Sequence, residues 1–280
     1  MSTSRNRNTS RGINLSRIIT LAFVLTTVYP ILFVLLTSLK STDEFYTNVW
    51  SYPHHFQWNN YSKALFDAHI GVYFTTSLII VGISVICILI LGALAGYALA
   101  RLHVPYRNLI LFLLLSTTFL PSETVIMPLY IMMSRMKLVG TYLSLIIPYI
   151  GWALPITIVI IQRFFVSLPN ELIESARMDG CTETQTFRKV MAPLMLPALA
   201  TCAIFSFVSL WGELLWASIA LSMSKVRTIP FGILNFQSQF QTDWGPMAAA
   251  IALILIPLMI FFLFTQKYFV QGLTGGAVKG

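Results

Sequence analysis

Charge is what this sequence has least of. Only 10% of its residues are Asp, Glu, Lys or Arg, against roughly 25% in an ordinary soluble domain. Acidic residues are the rarer sign, 10 against 18 Lys and Arg. With 56% apolar residues, this composition excludes a disordered chain and argues against a water-soluble enzyme. Cysteine is nearly absent. Cys87, Cys181 and Cys202 show no C-x-x-C or Cys/His spacing, so neither a metal site nor a disulfide framework is expected and the three are read as packing residues. The four histidines (His54, His55, His69, His103) fall in loops or at membrane edges and are read as solvated rather than catalytic. There is no G-x-x-x-x-G-K-[ST], no H-E-x-x-H and no G-x-S-x-G, so the chain has no phosphate-binding P-loop of its own and no catalytic residue is assigned.

What the sequence does have is long apolar runs. Six segments reach the roughly 20 residues that a membrane-crossing helix needs: 16–39, 72–100, 108–133, 141–163, 198–221 and 246–266. None alternates as a barrel strand would. Backbone groups in lipid must be bonded internally, so the expected fold is all-α, a polytopic membrane protein of six helices. The first run follows a basic arm (Arg5, Arg7, Arg11, Arg17) but continues past Pro30 to Leu39 without a clear cleavage site, and is read as a retained helix. The expected organisation is an N-terminal arm over 1–15, a transmembrane domain over 16–266 and a tail over 267–280.

Orientation follows from the basic residues. With both ends cytoplasmic, the inner segments carry 12 of the 18 Lys and Arg (Arg5, Arg7, Arg11, Arg17, Arg101, Arg107, Arg163, Arg177, Arg188, Lys189, Lys267, Lys279) and the outer ones 6 (Lys40, Lys63, Arg135, Lys137, Lys225, Arg227). That split favours cytoplasmic termini, although Arg135 and Lys137 go against it. The longest inner loop is then 164–197.

This loop reads FFVSLPNELIESARMDGCTETQTFRKVMAPLMLP, which fits two short helices with a break. Asn170 is placed to cap the first, with Glu171 and Glu174 near its positive end. Leu172, Ile173 and Ala176 share a face. Gly180 suits the left-handed residue that ends a helix. Thr182 and Gln185 fit a capping box for the second helix, and Pro193 disrupts helical bonding before the next span. Helix physics alone leaves two readings open, an amphipathic loop on the membrane surface and a docking surface for another protein, with small Ala176 and the Gly180 turn allowing close approach.

The spacing carries a resemblance. Glu174-Ser175-Ala176, three residues, Gly180, nine residues, Val190, one residue and Ala192-Pro193 resemble the EAA loop of ABC-importer permeases, EAA-x3-G-x9-I-x-LP, with Ser175, Val190 and Ala192 as small departures. The wider chain is similar to the carbohydrate-uptake branch, on Tyr97-Ala98-Leu99-Ala100-Arg101, Pro128-Leu129-Tyr130, Gln185-x-Phe187, Pro197-Ala198-Leu199-Ala200 and the ending Gly272-Leu273-Thr274-Gly275-Gly276-Ala277-Val278-Lys279-Gly280. The resemblance implies a type I ABC-importer permease in the bacterial cell membrane. It implies a second, homologous permease, an ATPase dimer that holds ATP and Mg, an extracytoplasmic binding protein and a carbohydrate substrate, with no cofactor on this chain. Glu174, Ser175, Ala176, Gly180, Val190 and Pro193 would form the ATPase-coupling segment. Gly275, Gly276 and Lys279 would reach the ATPase interface, the alternative being a frayed terminus.

Two acids interrupt the apolar runs. Glu123 follows Pro121, and Glu213 follows Trp211 and Gly212. An ionisable residue in a span faces a cavity, a partner or the bundle interior. Glu123, Trp211 and Glu213 are therefore candidate pathway residues, an aromatic face and carboxyl groups being what a sugar needs. The bland alternative has Trp211 packing at an interface and Glu213 bonded within the bundle. If the importer reading is set aside, these acids would serve a stand-alone proton-coupled transporter. Gly92-x-x-x-Gly96 permits close helix contact.

Overall fold

The structure, a computed structural model, describes residues 6–236 and 242–275. Among them the chain is helical throughout, in the order α1 (Asn6–Thr37), α2 (Thr42–Thr47), α3 (Asn59–Ser62), α4 (Ile70–Arg101), α5 (Arg107–Thr117), α6 (Ser122–Arg135), α7 (Leu143–Ser167), α8 (Glu171–Met178), α9 (Glu183–Thr186), α10 (Ala192–Leu194), α11 (Leu196–Trp211), α12 (Leu215–Ala220), α13 (Ile229–Leu234) and α14 (Trp244–Gly275). Single π-helical turns, Lys63–Asp67 and Phe187–Met191, follow α3 and α9.

Four helices are long and apolar enough to cross a membrane unbroken: α1 over Ser16–Thr37, α4, α7, and α14 over Trp244–Lys267. Six crossings are reached only when two bent pairs are counted, α5 with α6 at 97° and Glu183–Leu194 with α11 at 70°. The third and fifth predicted spans are thus not straight helices. Pro121 has no N–H and ends the ladder ahead of α6, while Thr118, Phe119 and Leu120 close α5 with short-range bonds to Leu115, Ser116 and Thr117. The fifth span breaks at Gly212, beyond which α12 starts afresh. Broken helices at membrane depth are tolerated where they line a cavity.

The chain separates into two compact units, Met1–Ile70 with Ile233–Leu255, and Gly71–Gly232 with Ile256–Gly280. In the first unit, the segment between α1 and α4 is folded. Asn60 Nδ2 donates to the carbonyls of Ser38 (2.9 Å) and Lys40 (2.7 Å). Lys40 Nζ, buried at 1% exposure, donates to the carbonyls of Asn48 and Val49. Burial pushes its ammonium below the ordinary lysine range, opposed by Glu44. Trp244 stacks on Phe45 at 4.9 Å and its indole donates to Tyr46, so this aromatic is a packing residue of the unit. Gly245 is where these strands of the chain meet. A Cβ there would sit 2.4 Å from the Lys40 carbonyl and 2.7 Å from Asn60 Nδ2. Gly245→Ala is therefore expected to destabilise the unit by about 2 kcal/mol. A melting curve of the purified protein matching wild type would refute this packing.

In the second unit α4 lies against α7. Gly92 and Gly96 make this possible: a Cβ at Gly92 would meet Thr157 Cγ2 at 2.5 Å, and one at Gly96 would meet Ile161 Cγ2 at 2.8 Å. The glycines expected to allow close contact do so here, within one chain. Below this contact, Ala93, Tyr97, Ile161, Phe165, Ile173, Met191, Met195 and Cys202 form one buried cluster. This cluster fixes the 164–197 loop to the ends of the long helices.

Candidate functional site

The 164–197 loop is a hairpin of short helices. α7 ends at Ser167 and α8 begins two residues after Pro169. Asn170 does not cap α8 through its side chain. It keeps helical dihedrals, and its Oδ1 instead accepts from Arg101 at the end of α4. Arg101 also donates to the carbonyls of Phe165 and Leu168. One guanidinium thus closes the C-terminal end of α7 and holds the entry to α8.

α8 ends as its sequence demands. Gly180 has φ +76°, and Gly180 N and Cys181 N donate to the carbonyls of Arg177 and Ala176, each at 3.0 Å. The bonds satisfy carbonyls that a helix end would leave orphaned. The capping box is present in full, Gln185 N to Thr182 Oγ1 and Thr182 N to Gln185 Oε1. Beyond it the helix loosens into the π turn, and Pro193 precedes the 70° bend into α11.

The faces of this hairpin differ from the expected ones. Ile173 and Ala176 are buried at 7% and 5% exposure, whereas Leu172 is at 36% and sits at the rim. Ala176 is therefore buried on the same face as Ile173, which belongs to the buried cluster. Val190 also packs against that cluster. The outward edge consists of Glu174, Ser175, Gly180 and Met178, the last 88% exposed, with Pro193 also exposed. Met178 was not singled out from sequence. An exposed methionine at a helix end suits a conformable contact surface.

Glu174 is not paired with Arg177. Arg177 bonds Glu183 at 2.6 Å, across the Gly180 turn. The other oxygen of Glu183 accepts from Tyr97 Oη at 3.2 Å. Tyr97 is itself wedged between Phe165 and Phe187. Tyr97 and Arg101, one helical turn apart on α4, thus both reach the hairpin, the first through Glu183 and the second through Asn170. From sequence these residues enter only through a resemblance and, for Arg101, the count of inner basic residues. Their i, i+4 spacing at a helix end was the available signal.

A cavity of about 740 Å³ opens between the broken helices of the same unit. Glu123 and Glu213 both line it, with Ser122, Thr157, Ser206 and Ser209 among apolar side chains. Trp211 does not line it. It is 1% exposed and stacks on Phe207 at 5.3 Å, because α11 turns that face inward. The aromatic side chains that line the cavity are Trp152, Phe205 and Trp216, the last only 1% exposed. The two acids stand differently. Glu213 accepts from Tyr149 Oη (2.8 Å), Trp216 N (2.6 Å) and Ala217 N (3.0 Å), covering the start of α12. Glu123 is exposed in the cavity wall and, among the described residues, its carboxylate accepts only from Ser122 Oγ at 3.2 Å. Gly275 is the last described residue of α14; Gly276 and Lys279 lie outside the described residues.

Comparison with known proteins matches this arrangement. Residues 88–275 match the family model described as binding-protein-dependent transport system inner membrane component. The chain is 40% identical over 229 residues to the trehalose transport system permease protein SugB of Mycobacterium tuberculosis, covering 78% of this chain and 84% of that protein. It is 34% identical over 255 residues to the sulfoquinovosyl glycerol transport system permease protein SmoH of Agrobacterium fabrum, covering 90% of this chain and 89% of that one. In structure it is similar to a chain of a bacterial ABC transporter that imports alginate, with a TM-score of 0.77, 22% identity and coverage of 96% and 100%. None of these supports a stand-alone proton-coupled transporter. With a family match over most of its length and relatives above 30% identity, the chain belongs to the inner-membrane permease components of binding-protein-dependent ABC transporters.

Proposed function

We propose that the chain is a permease subunit of an ATP-driven carbohydrate importer, coupled to its ATPase through the 164–197 hairpin. The observation that carries this reading is the hairpin itself. It has an exposed edge of Glu174, Ser175, Met178 and Gly180 on a base locked to α4 by Tyr97 and Arg101. Such a body transmits a push at its edge to the long helices without deforming. The Glu174 carboxylate makes no ion pair or hydrogen bond among the described residues and is free to meet a basic residue of the ATPase. Met178 would enter the cleft beside it. Gly275, Gly276 and Lys279 would extend the same contact.

ATP and Mg belong to the ATPase dimer, and this chain performs no hydrolysis. The translocation path forms with a second, homologous permease, and an extracytoplasmic binding protein delivers the substrate. The basic-residue split supports cytoplasmic termini. The carbohydrate class rests on the permeases named above and on the cavity, where Trp152 offers an aromatic face and Glu123 a carboxyl group.

The test is purification of the tagged complex in mild detergent, with partners identified by mass spectrometry, then uptake by proteoliposomes containing it. Recovery of an ATPase and a second permease, and ATP-dependent uptake of a sugar presented by the binding protein, is the expected result. Recovery of the chain alone, with uptake abolished by collapsing a proton gradient, would refute it.

A further inference from the structure

A second cavity, of about 340 Å³, lies where the ends of α4, α5 and α7 converge. Arg101, Arg107 and Arg163 line it with Asn108, Gln162 and Asn170, and no acid does. Gln162 is 4% exposed, and its amide oxygen has no hydrogen-bond partner. The Nε of Arg101 is likewise buried and unpartnered. The guanidinium groups of Arg107 and Arg163 make no ion pair or hydrogen bond among the described residues. The cavity also receives the first turn of the 11-residue helix α5, which has no side-chain cap because Tyr106 precedes it in a left-handed conformation. Free first-turn N–H groups favour an anion. Buried polar atoms without partners need an explanation, and here they sit beside three guanidinium groups.

We propose that this cavity binds the phosphate of an anionic phospholipid headgroup. The lipid source follows from position. The cavity lies at the ends of membrane-crossing helices, the depth of headgroups, and opens beside α5, whose Leu109, Phe112 and Leu113 are exposed. Those side chains offer an apolar track for acyl chains, which a soluble phosphate would not need. The phosphodiester would accept from Arg107, Arg163 and the α5 first turn, and the Gln162 amide can turn its NH₂ toward it. Basic pockets between helices at the cytoplasmic side are where such headgroups bind. The leaflet rests on the orientation proposed above. The bound lipid would brace Arg101, and through it the entry to α8.

The experiment is native mass spectrometry of the assembled complex, delipidated and then offered phosphatidylglycerol or phosphatidylcholine. Phosphatidylglycerol should be retained preferentially. Arg107→Gln with Arg163→Gln should weaken retention about 30-fold, and Arg163→Lys should keep most of it. Should the double variant fail to assemble, the exposed Arg163→Gln alone carries the test. Equal retention of both lipids, or retention unchanged in the variants, overturns the proposal. Saturation by inorganic phosphate with no lipid preference assigns the site to a soluble anion and overturns the lipid. Loss of the ATPase from the variant complex with lipid retained overturns it in favour of a protein contact. Lipid retention is read whatever sugar is carried, so its failure would leave the importer reading standing.

Discussion

Gly180→Pro is expected to reduce ATP-driven uptake about a hundredfold while the chain still inserts and pairs with its partner permease. Gly180 sits at φ +76°, whereas proline is held near −65°. Proline also removes the N–H that bonds the Arg177 carbonyl. The two effects together cost about 3 kcal/mol locally, and that is roughly a hundredfold in the population of a docking-competent turn. The damage stays in the hairpin, because nothing lies within 4 Å of where a Cβ would be. Gly180→Ala should then fall between. It has the room but not the dihedral freedom, at about 1 kcal/mol, so uptake should drop only severalfold. Glu174→Lys tests the same edge by charge. The residue is exposed, so the thermal melt should not move while the ATPase is lost from the purified complex. ATPase co-purification and ATP-driven uptake are the two readouts. Wild-type values in both Gly180→Pro and Glu174→Lys would remove the hairpin from the coupling role.

The hairpin was legible in sequence where local rules decide the outcome. A left-handed helix end at Gly180 and a capping box at Thr182 and Gln185 depend on a few neighbouring residues, and both are present. Asn170 was not legible, since whether it caps α8 depends on Arg101, 69 residues away. The same holds for Arg177. Glu174 lies one helical turn before it, but the turn at Gly180 brings Glu183 to 2.6 Å, and a helix pair is worth only a few tenths of a kcal/mol. Apolar length marked the membrane segments but hid their breaks. Residues 108–133 are apolar enough for one helix, yet they bend by 97° because a chain lining a cavity need not keep its ladder continuous. The two cavity acids were legible because carboxyl groups in apolar runs are costly wherever they point. For Trp211 the packing alternative holds: adjacency in sequence suggested a place beside Glu213, while the end of α11 separates the two faces.

The two cavity acids should respond in opposite ways to mutation. Glu213→Leu leaves the Tyr149 hydroxyl and the Trp216 and Ala217 amides without their acceptor. Each unmet buried donor costs about 1–3 kcal/mol, so the variant should lose about 4 kcal/mol in all and melt about 10 °C lower. Its uptake would fall because α12 no longer holds its place, whatever the substrate. Glu123→Gln disturbs only the bond from Ser122 and should melt with wild type. If Glu123 contacts a sugar hydroxyl, exchanging the charged acceptor for an amide removes about 2 kcal/mol, seen as about 30-fold lower uptake efficiency. Thermal melts and uptake measured on the same two variants separate the roles. An unstable Glu123→Gln with intact Glu213→Leu would reverse the assignment, because the acid that organises the wall and the acid free to meet cargo would then have changed places.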